Sequence, residues 1–484
     1  MFSTRSVWPS LWAKVSGMLR RASIRILLSV PALLLAVPTW GKAQEQGVRR
    51  CVGDTTRVLP APTVRQTVDT IAPGVTYTCL LRPEGPWLLH VATIDLRQKG
   101  YAIDGVRAAE RMVGRERVSA MVQRLTARGE RPLVAINADF FDLGTGEVEN
   151  NHVIRGEWVK GAVITDSPHD AFDNAHTQFA VDRRGGVHIG RFELHGAVYA
   201  GRGTQPLVGI NYRPPHTEGL VLYTPWYGDR TLGDTLGEAP GDTLTGARAT
   251  AVRPRDPDAA PTPRPAPSVA QLRADSARAA SLAATRRAVE VALTFVGARG
   301  DTLRYRVATP RPRVGGASRI APRGAVLSAT GDSAIAFVRA LARRGGTVRV
   351  LAGLGVPTFS AQTSVGGWPR VVQDGANVGV LADSLEGTFP RFSSARHPRS
   401  AIALSRDSTQ LLLVVVDGRR PWSVGMSLVE LGDALIALGA GQAMNLDGGG
   451  SSALWVKGEI VNFPSDPTGE RAVGNALVIR QLKP

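Results

Sequence analysis

Apolar residues in this chain gather in short runs. WLLHVATIDL (87–96) reads as a buried strand, and LVAINADFF (133–141) as a strand running into a loop. LLLVVVDG (411–418) is continuously apolar up to its acid, which predicts a strand buried on both faces. Between 151 and 231 the β segments are short and punctuated by glycine: HVIRGEWV, TQFAVDRRGGVHIG, LVGINY and GLVLYTP. That pattern predicts hairpins. VEVALTFVG (289–297) and TLRYRVA (302–308) add two strands. Helical spacing appears at 106–128, around 332–344, and after Ser427. There Ser427 and Glu430 form an S-x-x-E capping box, Leu428, Leu431, Leu435 and Leu438 follow at helical spacing, and Gly439 provides a stop. The C-terminal order is therefore strand, loop, amphipathic helix, strand (QAMNL), glycine loop, strand (ALWVKG). In this α/β arrangement the Asp417-Gly418-Arg419 loop and the Asp447-Gly448-Gly449-Gly450 loop each follow a strand, where sheet proteins usually keep ligands. The expected fold class is α+β with α/β-like features: mixed β-sheets with flanking helices.

Two segments break the pattern. Arg20, Arg21 and Arg25 precede an apolar stretch from Ile26 to Val37, with Gly41-Lys42-Ala43 as a cleavage end. Residues 1–43 are thus expected to be a signal peptide, with Met1 or Met18 as the start, and the mature chain to be exported to a periplasmic or extracellular space. No later stretch has the length and apolarity of a bilayer span, so no stable membrane span is expected after cleavage. Residues 236–285 are rich in proline and alanine without an apolar period, and are expected to form a flexible insertion, with a loose helix toward its end. Residues 44–85 read as a β-rich lead-in.

Charge alters this picture little. The net +17 includes six basic residues and no acid within 1–43. The remaining positive charge is mostly arginine, spread along the chain with no compact basic run carrying interleaved aromatics. Nucleic acid is therefore not an expected partner, whereas anionic substrates are. Cys51 and Cys79 are the only cysteines, and in an exported chain they are expected to pair. Without clustered histidines they do not make a zinc site. Nothing in the pattern sets an oligomeric state.

Candidate chemistry sits at strand ends. Asp139 and Asp447 each follow an apolar strand and an asparagine two residues earlier (Asn137, Asn445), and Asp417 also ends a strand. Three such carboxylates could converge on one site, or each could cap its own turn. The Gly448–Gly450 run could cradle an anion with backbone N–H groups, or simply turn. Arg396-His397-Pro398-Arg399, Arg419 and Arg420 supply forks matched to phosphate, or solvated surface charge. No G-x-S-x-G elbow, H-E-x-x-H, EF-hand loop or nucleotide P-loop is present.

Taken together and in order, NADFFD, GGWPRVVQDG (366–375), RHPRSAIAL (396–404), LLLVVVDGRR (411–420), MNLDGGGSSALWVKGEIVN (444–462) and NFPSDPTGERAVGNALVI (462–479) resemble the phosphodiester glycosidase family. The likeness is strongest over about 350–480. It extends the domain to two parts, 86–235 and 286–484, around the insertion. The resemblance implies hydrolysis of a sugar-1-phosphodiester, of the N-acetylglucosamine-1-phosphodiester kind, at the anomeric C–O bond. A phosphosugar or glycan is the implied substrate, and no cofactor is required. Envelope or exopolysaccharide material is the target that export suggests. The resemblance points to Asp447 and Asp139 as the leading carboxylates, with Asp417 a further candidate and His397 as a proton donor. Arg399 and Arg419 would clamp phosphate, the backbone of Gly448, Gly449 and Gly450 would hold an oxyanion, and Asn137, Asn445 and Ser451 would contact sugar. Two other readings are a metal-assisted phosphodiesterase, whose acids would bind Ca²⁺ or Mg²⁺, and a non-catalytic glycan-binding envelope protein.

Overall fold

The computed structural model describes residues 65–163, 174–214, 217–232, 287–355 and 358–483. The expected signal at 1–43, Cys51, the start of the lead-in and the insertion at 236–285 lie outside the described residues. Among the described residues, no helix is long and apolar enough to cross a membrane.

Strands dominate, in three sheets. In the largest, seven strands close on themselves: Leu194–Ala200, Thr347–Leu354, Thr302–Val307, Val289–Arg299, Gly324–Thr330, Gly219–Tyr223 and Gly203–Ile210, which returns to the first. Closure leaves no unpaired edge in this part of the chain. The helix Asp332–Arg344 adds Ala334, Val338, Leu341 and Ala342 to the core made by Val198, Leu207, Leu220, Val291 and Leu327. Hairpins were the expectation for much of this region; the barrel they build was not foreseen. The few helices make the α+β label a loose description of a mainly β fold.

The second sheet has the order Arg65–Ala72, Val75–Arg82, Trp87–Asp95, Gln410–Val416, Arg399–Ser405, Ala440–Asn445, Arg370–Gln373, Ala376–Asn377. Its strand Gln410–Val416 shows why the sequence is apolar throughout. Leu411, Leu413 and Val415 enter a core shared with Val134, Ile136 and Leu477 of the third sheet. Leu412, Val414 and Val416 enter a core capped by Leu428, Leu431 and Leu435 of the helix Leu428–Ala437. A period of two sends alternate side chains to opposite faces, and both faces here are covered. The capping box forms as expected, with Glu430 N–H donating to Ser427 Oγ at 3.2 Å and Ser427 N–H to Glu430 Oε2 at 2.9 Å. Cys79 is buried on the strand Val75–Arg82.

The third sheet orders Glu459–Ile460, Leu454–Val456, Arg131–Asn137, Asn475–Gln481 and Tyr101–Arg107. Here the expected helix over 106–128 is shorter. Val106 and Arg107 pair with Ala476 and Asn475 in the sheet, and the helix spans Val118–Ala127. The apolar Val106 and Met112 mimic a helical period, but Gly114 at φ 127° ends any such continuity.

Strands Gln410–Val416 and Ala440–Asn445 both run antiparallel to Arg399–Ser405, which lies between them. They are therefore parallel to each other, joined by the helix Leu428–Ala437. Their C-terminal loops and the segment entering Arg399 consequently meet at one end of the sheet. The third sheet joins that end through Asp447 N–H, which donates to Ala138 O at 2.9 Å.

Candidate active site

The three glycines are each required by a different neighbour. A Cβ on Gly448 would lie 2.8 Å from Pro398 O, inside contact distance. Gly449 has φ 60°, and a Cβ there would lie 3.1 Å from Arg419 Nη2. A Cβ on Gly450 would overlap Asp466 Oδ1 and Arg471 Nη2. The run is thus a crossing point for three loops. It is a smaller anion cradle than expected, because Gly449 N–H donates to Pro398 O at 2.9 Å and Gly448 N–H serves the Asp447 carboxylate.

Asp447 is half-buried on this loop. Burial pushes its carboxyl up to about 6, against the Ser451 hydroxyl, the Arg471 charge and Gly448 N–H, which favour the ionised form. Asn137 fixes the loop from the third sheet. Its Nδ2 donates to Asp447 O at 2.6 Å, and its Oδ1 accepts from Ser400 Oγ at 2.7 Å and Ala453 N at 3.0 Å. Asn445 donates to Trp368 O at 2.6 Å, and its Oδ1 is buried without a partner among the described residues. Asn137 and Asn445 therefore hold backbone where sugar contacts were expected.

The other two carboxylates are not free. Asp139 is 1% exposed, and Asn150 donates to both its oxygens, N–H to Oδ2 at 3.0 Å and Nδ2 to Oδ1 at 2.6 Å. Burial pushes it up to about 7, opposed by Asn150 and the Lys160 charge. Asp417 is fully buried: His90 Nε2 lies 3.1 Å from Oδ2, Phe463 N–H donates to Oδ1 at 2.9 Å, and Tyr77 OH reaches His90 Nδ1 at 2.7 Å. That network fastens the strand Trp87–Asp95 and the C-terminal segment to the end of Gln410–Val416. Among the described residues, no group of three His, Cys, Asp or Glu side chains is placed to hold a metal ion.

The two arginines expected to clamp phosphate differ sharply in their surroundings. Arg399 is 1% exposed; its Nε donates to Met426 O at 2.8 Å, and its Nη2 to Phe392 O at 2.7 Å and Ala395 O at 3.1 Å. Its guanidinium also stacks 4.9 Å from the Phe392 ring, and burial pushes its pKa down to about 10. Arg419 is exposed, and among the described residues its Nη1 donates to a hydroxyl, Ser465 Oγ at 3.2 Å, with its Nη2 over Gly449. It adopts φ 60°, a left-handed conformation that costs a side-chain-bearing residue roughly 1–2 kcal/mol. Strain retained at such a position is typical of functional loops. Burial, together with the Arg399 and Arg419 charges, holds His397 below the ordinary imidazole pKa.

Two features were missed from sequence. One is the Asp466–Arg471 ion pair against Gly450. The other is an aromatic cluster beside Asp139 in which Trp368 meets Phe140 at 5.7 Å, Phe392 at 5.1 Å and Phe389 at 6.5 Å between ring centres. The tryptophan of GGWPR signals the cluster, but its ring partners come from separate segments.

Residues 307–480 match the phosphodiester glycosidase (NAGPA) family model. The chain is 40% identical over 86 residues to the SPbeta prophage-derived uncharacterized protein YomE of Bacillus subtilis (strain 168), covering 18% of this chain and 13% of that protein. It is 36% identical over 80 residues to N-acetylglucosamine-1-phosphodiester alpha-N-acetylglucosaminidase of Bos taurus, covering 16% of this chain and 15% of that protein. The matched stretches thus span only a small part of either relative. A crystal structure of a hypothetical protein from Synechocystis shares the fold, with TM-score 0.57 and 20% identity over 87% of this chain and 64% of that one.

Proposed function

We propose, for a chain whose residues 307–480 match the phosphodiester glycosidase family model, hydrolysis of a sugar-1-phosphodiester at its anomeric C–O bond. The observation that carries this reading is the placement of the Arg419 guanidinium over Gly449, two residues along the loop from Asp447. A carboxylate raised by burial stands on the loop that an exposed, carboxylate-free guanidinium overhangs. Asp447, ionised above about pH 6, meets the anomeric carbon or the water that attacks it. Arg419 takes a non-bridging phosphate oxygen. The C–O bond breaks with its electron pair going to the phosphate, water supplies the new hydroxyl, and the products are a free sugar and a phosphomonoester. Phosphate is a good leaving group, so a second carboxylic acid is not needed to protonate it, consistent with the engagement of Asp139 and Asp417 elsewhere. The substrate fits an N-acetylglucosamine-1-phosphodiester type, and the expected leader favours an exported enzyme acting on envelope or exopolysaccharide phosphodiesters.

Turnover in ¹⁸O-water tests the reading. Label is expected in the sugar hydroxyl. Label in the phosphate would mean P–O cleavage and would sink it. Arg419→Met is expected to raise KM for the phosphodiester about tenfold, the scale of one charge-assisted hydrogen bond. The urea midpoint should stay unchanged, because the side chain is exposed. An unchanged KM would remove Arg419 from substrate recognition.

A further inference from the structure

The Asp466–Arg471 pair has no role in the chemistry above, yet the glycine loop is shaped around it. Arg471 Nε donates to Asp466 Oδ2 at 2.7 Å and Nη2 to Asp466 Oδ1 at 2.8 Å, a bidentate fork. The remaining nitrogen, Nη1, donates to Ser451 Oγ at 3.3 Å. Ser451 is 1% exposed, and its hydroxyl in turn serves the Asp447 carboxylate. A side chain at Gly450 would displace both members of the pair. All three guanidinium nitrogens of Arg471 are therefore engaged by protein, unlike those of the exposed Arg419. Arg471 is placed to hold the loop's own carboxylate, not the substrate.

We propose that Arg471, clamped by Asp466, is a positioning residue that aims the Asp447 carboxylate through Ser451. The proposal rests on the catalytic reading of Asp447. The charges that act on that carboxylate are Arg471 and Asp466 from the C-terminal segment, while the titratable groups on the segments packed against its loop are Arg419 over Gly449, His397 and Arg399 flanking Pro398, and Asp139 beyond Ala138. Arg471 and Asp466 act on Asp447 with opposite sign. That sets the test apart from general loosening, which would move both variants the same way.

The full chain, carrying ¹³C at aspartate carboxyls, is titrated by NMR, with the Asp447 signal identified by its loss in Asp447→Asn. Arg471→Met is expected to raise the Asp447 midpoint by about half a pH unit or more, and Asp466→Asn to lower it. The acid limb of kcat/KM should move with each. Arg471→Lys restores the charge without the fork, so the midpoint should return toward the parent while kcat stays low, since Ser451 is no longer held. If Arg471→Met does not fold, Asp466→Asn and Arg471→Lys carry the comparison. Unmoved midpoints, or shifts of the same sign in Arg471→Met and Asp466→Asn, overturn the proposal. Full turnover by Asp447→Asn would overturn the catalytic reading alone, because the titration needs no substrate.

Discussion

Asp447→Asn is expected to lower kcat on a sugar-1-phosphodiester by about a thousandfold or more, the scale seen when an essential catalytic group is removed. Asparagine keeps the shape and can still accept from Ser451, but it can neither attack nor take a proton. Stability should not fall. Burial raises the carboxyl of Asp447 from its ordinary 3.8 to about 6, so the fold disfavours its ionised form. Its contribution to stability is complete below the unfolded pKa and is lost as pH rises through about 6. Above that, the ionised carboxylate costs as much as about 3 kcal/mol, from 1.36 kcal/mol per pK unit. The asparagine variant should therefore be more stable than the parent at pH 5, and by a wider margin at pH 8. The parent's kcat/KM should fall as pH drops below about 6. Phosphomonoester release at pH 7.5 and urea unfolding at both pH values check these outcomes. A kcat within tenfold of the parent would remove Asp447 from the chemistry.

The sequence made some of this site legible and hid the rest for identifiable reasons. The run at 411–416 could be read because both faces of that strand are covered, so no polar residue interrupts it. The Ser427–Glu430 box could be read because capping is local. The glycine loop announced a close approach, but not to what: its three neighbours come from Pro398, Arg419 and the Asp466–Arg471 pair. Asp417 looked like Asp139 and Asp447 because all three end strands. Only the register that sets His90 opposite Val415 shows that Asp417 is buried against a histidine. Barrel closure was illegible because Leu194–Ala200 pairs with Thr347–Leu354 across a long stretch of chain. Arg399 and Arg419 were equivalent in sequence, each an arginine in a short motif beside proline or glycine. What separates them is whether carbonyls from a neighbouring segment surround the guanidinium, a tertiary fact.

That distinction carries the second large effect: Arg399→Met is expected to cost about 3 kcal/mol of stability. Methionine fills much of the volume, but it leaves the Phe392 and Ala395 carbonyls without the donor that Arg399 supplies. Both carbonyls are only part-buried, so each lost bond costs at the low end of the roughly 1–3 kcal/mol of an orphaned acceptor. Met426 O is spared, since His397 N–H also donates to it at 3.2 Å. The stacking of the guanidinium on Phe392 is lost as well. Lysine should not rescue the variant, because one ammonium cannot serve carbonyls lying in two directions from a planar fork. The urea midpoint should drop for both substitutions with little change in the m-value. The Arg419→Met variant should show the reverse pattern, a raised KM at an unchanged midpoint. If Arg399→Met instead keeps its midpoint and weakens only phosphodiester binding, the buried arginine reaches the substrate and the assignment of the two residues must be exchanged.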